Sequence, residues 1–516
     1  LMEPIPGSAP QSHNKVLDLI VVGGGINGAG IAADAAGRGL NVGLYDAQDF
    51  AGATSSASSK LIHGGLRYLE QYEFRLVSEA LSEREILLKK APHLIKSMRL
   101  RLPLRPSLRP SWLLRAGLFL YDSLSRRSSL PGSHKVRLPA GTVTKPELTT
   151  GFEYSDCWAD DARLVLANVM QAKEMGSEVI NYCRVVGAKR NGSIWEVELF
   201  DERHQRSFNR ECRVLVNATG PWVRSFFHDH LHLSSPYGIR LVKGSHIIVP
   251  KIHSEPYAYV LQNLDKRLVV VVPYLDKYSM IGTTDVEYQG DPRQVRISDD
   301  EKQYLIDVVN QHFVKSICKN DIIHEFSGVR PLLDDEAVTP QRITRDYTLA
   351  FDNKDNQAPL LSVFGGKLTT YRKLAEIAMH QLQPCFPHMK PDWTSLAPLP
   401  GGEEFNFHRL LRECKQRYPF IGESVLERWL NAYGSRIRSL LAGVCQPEDL
   451  GQAFSPSLYQ IEVDYLAEHE WVFSAEDLFW RRTKLGLDHD EQTIELVERY
   501  LKKRRHRLRT NLKAVS

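Results

Sequence analysis

Two absences bound this chain before any motif is read. It has no CxxC pair: Cys157, Cys183, Cys212, Cys318, Cys385, Cys414 and Cys445 are widely scattered, and no His/Cys cluster has metal-ligand spacing. A reducing compartment and no metal are therefore expected. Nowhere do eighteen apolar residues run together, and the opening LMEPIPGSAPQSHNK lacks the apolar stretch of a secretory signal. Any membrane contact is expected to be peripheral. Internal repeats and low-complexity tracts are also missing. Acidic residues are absent from the final LKKRRHRLRTNLKAVS, which carries Lys502, Lys503, Arg504, Arg505, Arg507, Arg509 and Lys513. From Lys96 to Arg127 only Asp122 is acidic, among Arg99, Arg101, Arg105, Arg109, Arg115 and Arg126 around the apolar WLLRAGLFLY. Such tracts suit an anionic membrane, a nucleic acid or simply a solvated face.

At 516 residues, 42% hydrophobic and 25% charged, the chain can bury two or three cores. VLDLIVVGGGINGAGIAADAAGRGLNVGLYD reads as strand, glycine turn, alanine-rich helix and second strand. Gly23, Gly25 and Gly28 have the GxGxxG spacing, and Asp46 ends the second strand, where a carboxylate can accept hydrogen bonds from an adenosine ribose. ATSSASSKLIHGGLRYLE is too polar for a core strand; Ser55, Ser59, Lys60, His63 and Gly65 are expected to meet a pyrophosphate and a bulky ring. RVLVNATG, closing on Gly220, reads as a return to the nucleotide sheet. SHIIVP, YAYVLQ, RLVVVVPY and SMIGTTDVEY predict a largely antiparallel second domain, and the pattern beyond about Pro391 is helical.

FGGKLTTYRKL brings a nucleotide phosphate loop to mind but lacks the Walker pattern, since Leu361 and Leu368 stand where a glycine and a hydroxyl are required. It predicts instead a strand ending at Gly365 and Gly366 and a helix starting near Thr369, whose backbone N–H groups face negative charge.

VVGGGINGAGIAADAAGRGL, SSASSKLIHGGLRYLE, FEYSDCWADDARLVLAN, VNATGPW, YGIRLVKGSH, IGTTDVEY, SGVRPL and SVFGGKLTTYRKLAE together closely resemble the bacterial aerobic, FAD-dependent glycerol-3-phosphate dehydrogenases, over roughly residues 16 to 500. The resemblance implies an α/β fold. It would comprise a Rossmann-like FAD-binding domain of the glutathione-reductase/amino-acid-oxidase type, an antiparallel-sheet substrate domain and a C-terminal helical domain. The expected boundaries are a disordered leader at 1–15, the FAD domain at 16–80, 156–236 and 331–388, the substrate domain at 81–155 and 237–330, and the helical domain at 389–516. The resemblance further implies one noncovalent FAD, oxidation of glycerol 3-phosphate to dihydroxyacetone phosphate, and electron delivery to membrane quinone. It implies peripheral attachment to the cytoplasmic face of the inner membrane, as a homodimer.

Oxidising a hydroxyl-bearing carbon requires hydride departure to flavin N5, a base for the O–H proton, and a clamp on the phosphate. A phosphate dianion calls for arginine forks. Arg330 in SGVRP is the first candidate, Arg67 and Tyr68 in GGLRY come next, and Arg345 follows. His63 is expected in the flavin pocket, and His246 as a base or substrate contact. Lys367 is assigned an electrostatic role toward ring or substrate, beside Leu368 and Thr369. Asp285 and Glu287 read as a structural turn or an element behind the site, and Trp158 and Trp222 as core. A flavin oxidase of amino or 2-hydroxy acids, using oxygen, would share most of these features. A nucleic-acid partner is not expected, because it leaves the dinucleotide turn unexplained.

Overall fold

The computed structural model describes residues 16–515 except 67–68, 70–71, 106–107, 109, 125–128, 264, 266, 335–345 and 355, with side chains described to residue 507. The expected leader, residues 1–15, lies outside the described residues.

LDLIVV and VGLY are almost entirely buried because parallel strands are covered on both faces. Leu17–Val22 stands between Val42–Tyr45 and Arg206–Asn217, parallel to both. Glu178–Ile180 and Leu360–Gly365 extend the parallel sheet on either side. Tyr347–Asp352 closes one edge antiparallel, and the hairpin Cys183–Asn191 with Ile194–Asp201 joins the start of Arg206–Asn217. The helix Ile26–Gly37 is buried on nearly every side, against the sheet and the helices Asp161–Glu174 and Tyr371–Leu382. Its small residues permit that fit, since a Cβ on Gly30 would come 2.7 Å from the Tyr371 ring. Asp160 starts Asp161–Glu174 by accepting from the Arg163 N–H at 3.1 Å.

A second sheet runs through Val286–Glu287, Ile239–Pro250, Tyr278–Gly282, Leu268–Tyr274, Ala258–Gln262, Ile95–Pro103, Thr150–Ala159 and Leu61–Ile62, with His324–Leu333 beside Ile239–Pro250. It is antiparallel except where Ala258–Gln262 meets Ile95–Pro103. The expected antiparallel character holds. Position 80/81 falls inside the helix Phe74–Lys90, 155/156 inside Thr150–Ala159 and 330/331 inside His324–Leu333. Leu61–Ile62 already pairs with Trp158 and Cys157, so strand register carries the chain across each junction without a linker.

Beyond the linker after Leu382, the helices Phe407–Arg417, Glu423–Tyr433, Gln460–His469 and Glu491–Val515 bury their own core around Leu426, Trp429, Leu430, Leu466 and Phe479.

Arg372 ties these parts together. It forks onto Glu83 at 2.6 and 2.8 Å, and reaches Glu376 at 2.6 Å and Thr394 at 3.1 Å, all buried. Arg372→Ala leaves two buried carboxylates under-neutralised. The expected loss is about 3–5 kcal/mol of unfolding free energy, measured by chemical denaturation.

Candidate active site

The turn after Leu17–Val22 is shaped by contacts that only glycine allows. Gly23 has φ +105°, and a Cβ on Gly28 would lie 1.8 Å from the Gly23 carbonyl oxygen. Gly25 caps the helix Ile26–Gly37 with no side-chain bond of its own. The Ile26 N–H donates to Ser55 Oγ at 3.0 Å. Asp46 accepts from the Gly24 N–H at 2.6 Å and the Gln48 N–H at 2.7 Å. Burial raises its carboxyl to about 6 against those two bonds.

This turn opens on a cavity of about 570 Å³. Gly23, Gly25, Asp46, Ser55, Ser59, His63, Gly65, Gly220, Lys367, Leu368 and Thr369 all line it, as does Arg330. Gly28 stands behind Gly23. Thr369 Oγ1 accepts from the His63 N–H at 3.3 Å, joining the serine-rich loop to the stretch after Leu360–Gly365. Gly365 and Gly366, at φ +78° and +100°, turn the chain there, and a Cβ on Gly366 would strike the Asn27 amide at 2.7 Å. The helix that follows begins at Tyr371, two residues later than expected.

Arg330 Nη1 donates to Asp285 Oδ1 at 2.5 Å and Nη2 to Thr283 Oγ1 at 3.3 Å. A Cβ on Gly244 would lie 2.7 Å from Arg330 Nη2, so backbone packs directly against the guanidinium. Glu287 is directed elsewhere, to Arg240 at 3.1 Å.

Three expectations change. Lys60 is not on the cavity wall: it is buried, with Nζ 2.6 Å from Asp161 Oδ1, because an ammonium taken out of water needs a carboxylate. His246 is also behind the wall, its Nε2 3.0 Å from Ser59 Oγ and its ring stacked on Phe326 at 4.8 Å. Burial, with Arg330 and Lys60 nearby, lowers its pKa to about 3, so it is a neutral group orienting Ser59. Trp222 lines the cavity and is not core. Arg67, Tyr68 and Arg345 lie outside the described residues.

The sequence reading missed Asn27 and Thr54. Asn27 lines the cavity, donates to the Gly365 carbonyl at 3.2 Å, and has an Oδ1 with no hydrogen-bond partner among the described residues. Its place immediately after the GxG turn was the available signal. Thr54 Oγ1 donates to the Val329 carbonyl at 2.6 Å, a contact across 275 positions with no local signature.

The family model described as FAD dependent oxidoreductase matches residues 18–372, and that of the C-terminal domain of alpha-glycerophosphate oxidase matches residues 393–509. The aerobic glycerol-3-phosphate dehydrogenase of Escherichia coli (strain K12) is 56% identical over 92% of this chain and 96% of its own length. The chain belongs to the FAD-dependent glycerol-3-phosphate dehydrogenase family. The D-erythritol 1-phosphate dehydrogenase of Brucella abortus (strain 2308) is 48% identical, over 92% of this chain and 95% of that protein. Among solved structures, the glycerol-3-phosphate dehydrogenase from Bacillus halodurans complexed with FAD superposes with a TM-score of 0.73 at 25% identity, covering 95% of each chain. The family's cofactor fits the cradle found here: a helix N-terminus that starts on Gly25, with no N-cap side chain in the way, suits pyrophosphate, and Asp46 suits the ribose.

The neutral state of His246 has a measurable consequence. As pH falls below about 6.5 the unfolded chain protonates this histidine and the folded chain does not, which costs about 2 kcal/mol by pH 5. His246→Gln removes that cost, so thermal denaturation should show the variant losing less stability between pH 7 and pH 5 than the unaltered protein.

Proposed function

We propose that this protein oxidises sn-glycerol 3-phosphate to dihydroxyacetone phosphate and passes the electrons to a membrane quinone. The observation that carries this reading is a single cavity wall holding both the dinucleotide turn and the Arg330 fork. Bound FAD supplies the hydride acceptor, at flavin N5, for the hydrogen on substrate C2. Arg330 grips the phosphate. Asp285 and Thr283 hold its guanidinium plane, and the Asp285 charge keeps a bare cation from being stored in the cavity. Arg67 and Tyr68, in GGLRY, are assigned to the same phosphate by that family motif, and Arg345 is a weaker candidate that no motif carries. Lys367 would place positive charge toward ring and substrate, and Ser59 Oγ, 3.0 Å from the neutral His246 Nε2, would take the hydrogen bond of the substrate hydroxyl, with that imidazole nitrogen the acceptor for its proton.

The same cavity has an apolar wall of Leu66, Leu100, Leu102, Val260, Leu268 and Val270, which suits a lipophilic acceptor. The helix Ser111–Leu124 buries Leu118 and Tyr121 and turns Trp112 and Phe119 outward, 71% and 74% exposed. Two large exposed aromatics on one helix support peripheral membrane attachment, which the family resemblance assigns to the cytoplasmic face of the inner membrane. The surrounding arginines contribute less than their number implied. Arg99 and Arg101 fork onto Glu153, Arg101 also pairs with Glu255, and Arg115 remains exposed on the helix. A homodimer completes the reading.

Anaerobic mixing with glycerol 3-phosphate should bleach the flavin absorbance, with glycerol, lactate and D-erythritol 1-phosphate as comparisons. Bleaching by lactate would favour the oxidase alternative, and faster bleaching by the erythritol compound would reassign the substrate. Arg330→Ala should lower kcat/KM by roughly 100-fold, the value of a lost charge-assisted fork of about 3 kcal/mol, with flavin retained. The double substitution Trp112→Ser and Phe119→Ser should weaken flotation with phosphatidylglycerol vesicles by about tenfold or more while leaving flavin bleaching unchanged.

A further inference from the structure

The loop after Asp46 has two faces. Asp46, Ala47, Gln48, Ala51 and Gly52 line the cavity. Asp49 points the opposite way and is 2% exposed. It accepts from Arg481 Nε at 2.6 Å, Arg482 Nη1 and Nη2 at 2.6 and 2.8 Å, and Asn181 Nδ2 at 2.8 Å. Both arginines belong to the turn Asp477–Arg482 of the C-terminal helical unit, more than 430 positions away along the chain. The turn is itself braced: Arg481 Nη2 donates to Asp477 at 2.6 Å, Tyr182 donates to the same carboxylate oxygen at 2.6 Å, and Arg482 Nε donates to the Glu470 carbonyl at 3.0 Å. Burial alone would raise the Asp49 carboxyl, but Arg482 and Arg481 hold it at about 2. Its neighbour Phe50 meets Trp471 of the C-terminal unit edge-on at 5.5 Å, and a Cβ on Gly24 would lie 2.3 Å from the Phe50 ring. One short loop therefore joins the C-terminal unit to the acid and the glycine turn that hold the cofactor.

We propose that the C-terminal helical unit is a clamp on FAD: Arg481 and Arg482, docked on Asp49, position the cofactor loop, so that C-terminal docking and FAD binding stabilise one another. The inference rests on the FAD cofactor of the family. The coupling is reciprocal by thermodynamic necessity, since whatever docking contributes to FAD affinity, FAD contributes to docking. Arg481 and Arg482 act through Asp49 and are positioning residues. A second ion pair provides the contrast: Glu470 forks onto Arg163 at 2.7 and 2.8 Å, docking the same unit on the helix Asp161–Glu174, and neither side chain lines the cavity.

The test uses the full chain stripped of FAD and titrated with FAD by fluorescence quenching, with amide hydrogen exchange followed with and without the cofactor. Arg481→Gln and the near-isosteric Asp49→Asn should each raise the FAD Kd at least tenfold. Glu470→Gln should lower the unfolding midpoint of the FAD-free protein yet change the FAD Kd less than threefold. FAD should slow exchange in residues 477–482 of the unaltered protein, a readout that needs no variant to fold. An FAD Kd raised equally by Glu470→Gln and Arg481→Gln, or exchange in 477–482 indifferent to FAD, would overturn the clamp. Failure of the unaltered chain to bind FAD would overturn the cofactor reading, and the clamp with it.

Discussion

The buried ion pair between Lys60 and Asp161 is the contact on which the site depends. Its side chains are 6% and 0% exposed, so an ammonium and a carboxylate have both left water and each is costly without the other. Ser58 adds two bonds to the same carboxylate, at 2.7 and 3.2 Å. The pair pins a loop whose other residues reach in every direction. Ser55 meets the start of the helix Ile26–Gly37, Thr54 holds the Val329 carbonyl, Ser59 meets His246, and Ala57 packs where a Cβ on Gly328 would lie at 2.9 Å. Through this loop the parallel sheet and the antiparallel sheet share one wall, and the cavity is preorganised between them.

Arginine has divided duties across the molecule. Arg330 is restrained by Asp285 and Thr283 yet remains on the cavity wall. Arg84 is consumed by Asp156 at 2.8 Å, and Arg372 by Glu83 and Glu376. Arg99 and Arg101, part of a tract that reads as membrane-facing, are held by Glu153 on a neighbouring strand. A strand pair brings opposite charges from distant segments within hydrogen-bond reach, and a held guanidinium has less to offer a lipid headgroup. The outward aromatics of Ser111–Leu124 therefore carry more of the membrane argument than the charge count does.

The C-terminal unit has a core of its own, but its attachment is electrostatic as well as apolar. Lys484 pairs with Asp160, Arg163 with Glu470, and Asp49 with both Arg481 and Arg482. Trp471 seals the seam, donating to the Val179 carbonyl at 3.2 Å and meeting Phe50. Buried pairs of this kind specify one docking geometry, because any slip strands a charge.

The glycine turn, the acid at the end of the second strand and the alternating runs of the second sheet were legible in sequence, because each is a local pattern with a local physical cause. So was the membership of Ser55, Ser59, His63 and Lys367 in the cavity wall, through motifs that sit beside strand ends. What the sequence could not distinguish was a wall residue from one standing directly behind it. Lys60 is one position from Ser59, yet only the fold decides that the hydroxyl faces the cavity and the ammonium faces Asp161, 101 positions away. His246 and Trp222 exchanged their expected places for the same reason. The local sequence determined which elements form and which chemistry is available. Burial and long-range pairing, which exist only once the two sheets meet, decided which groups face the cavity and in what charge state.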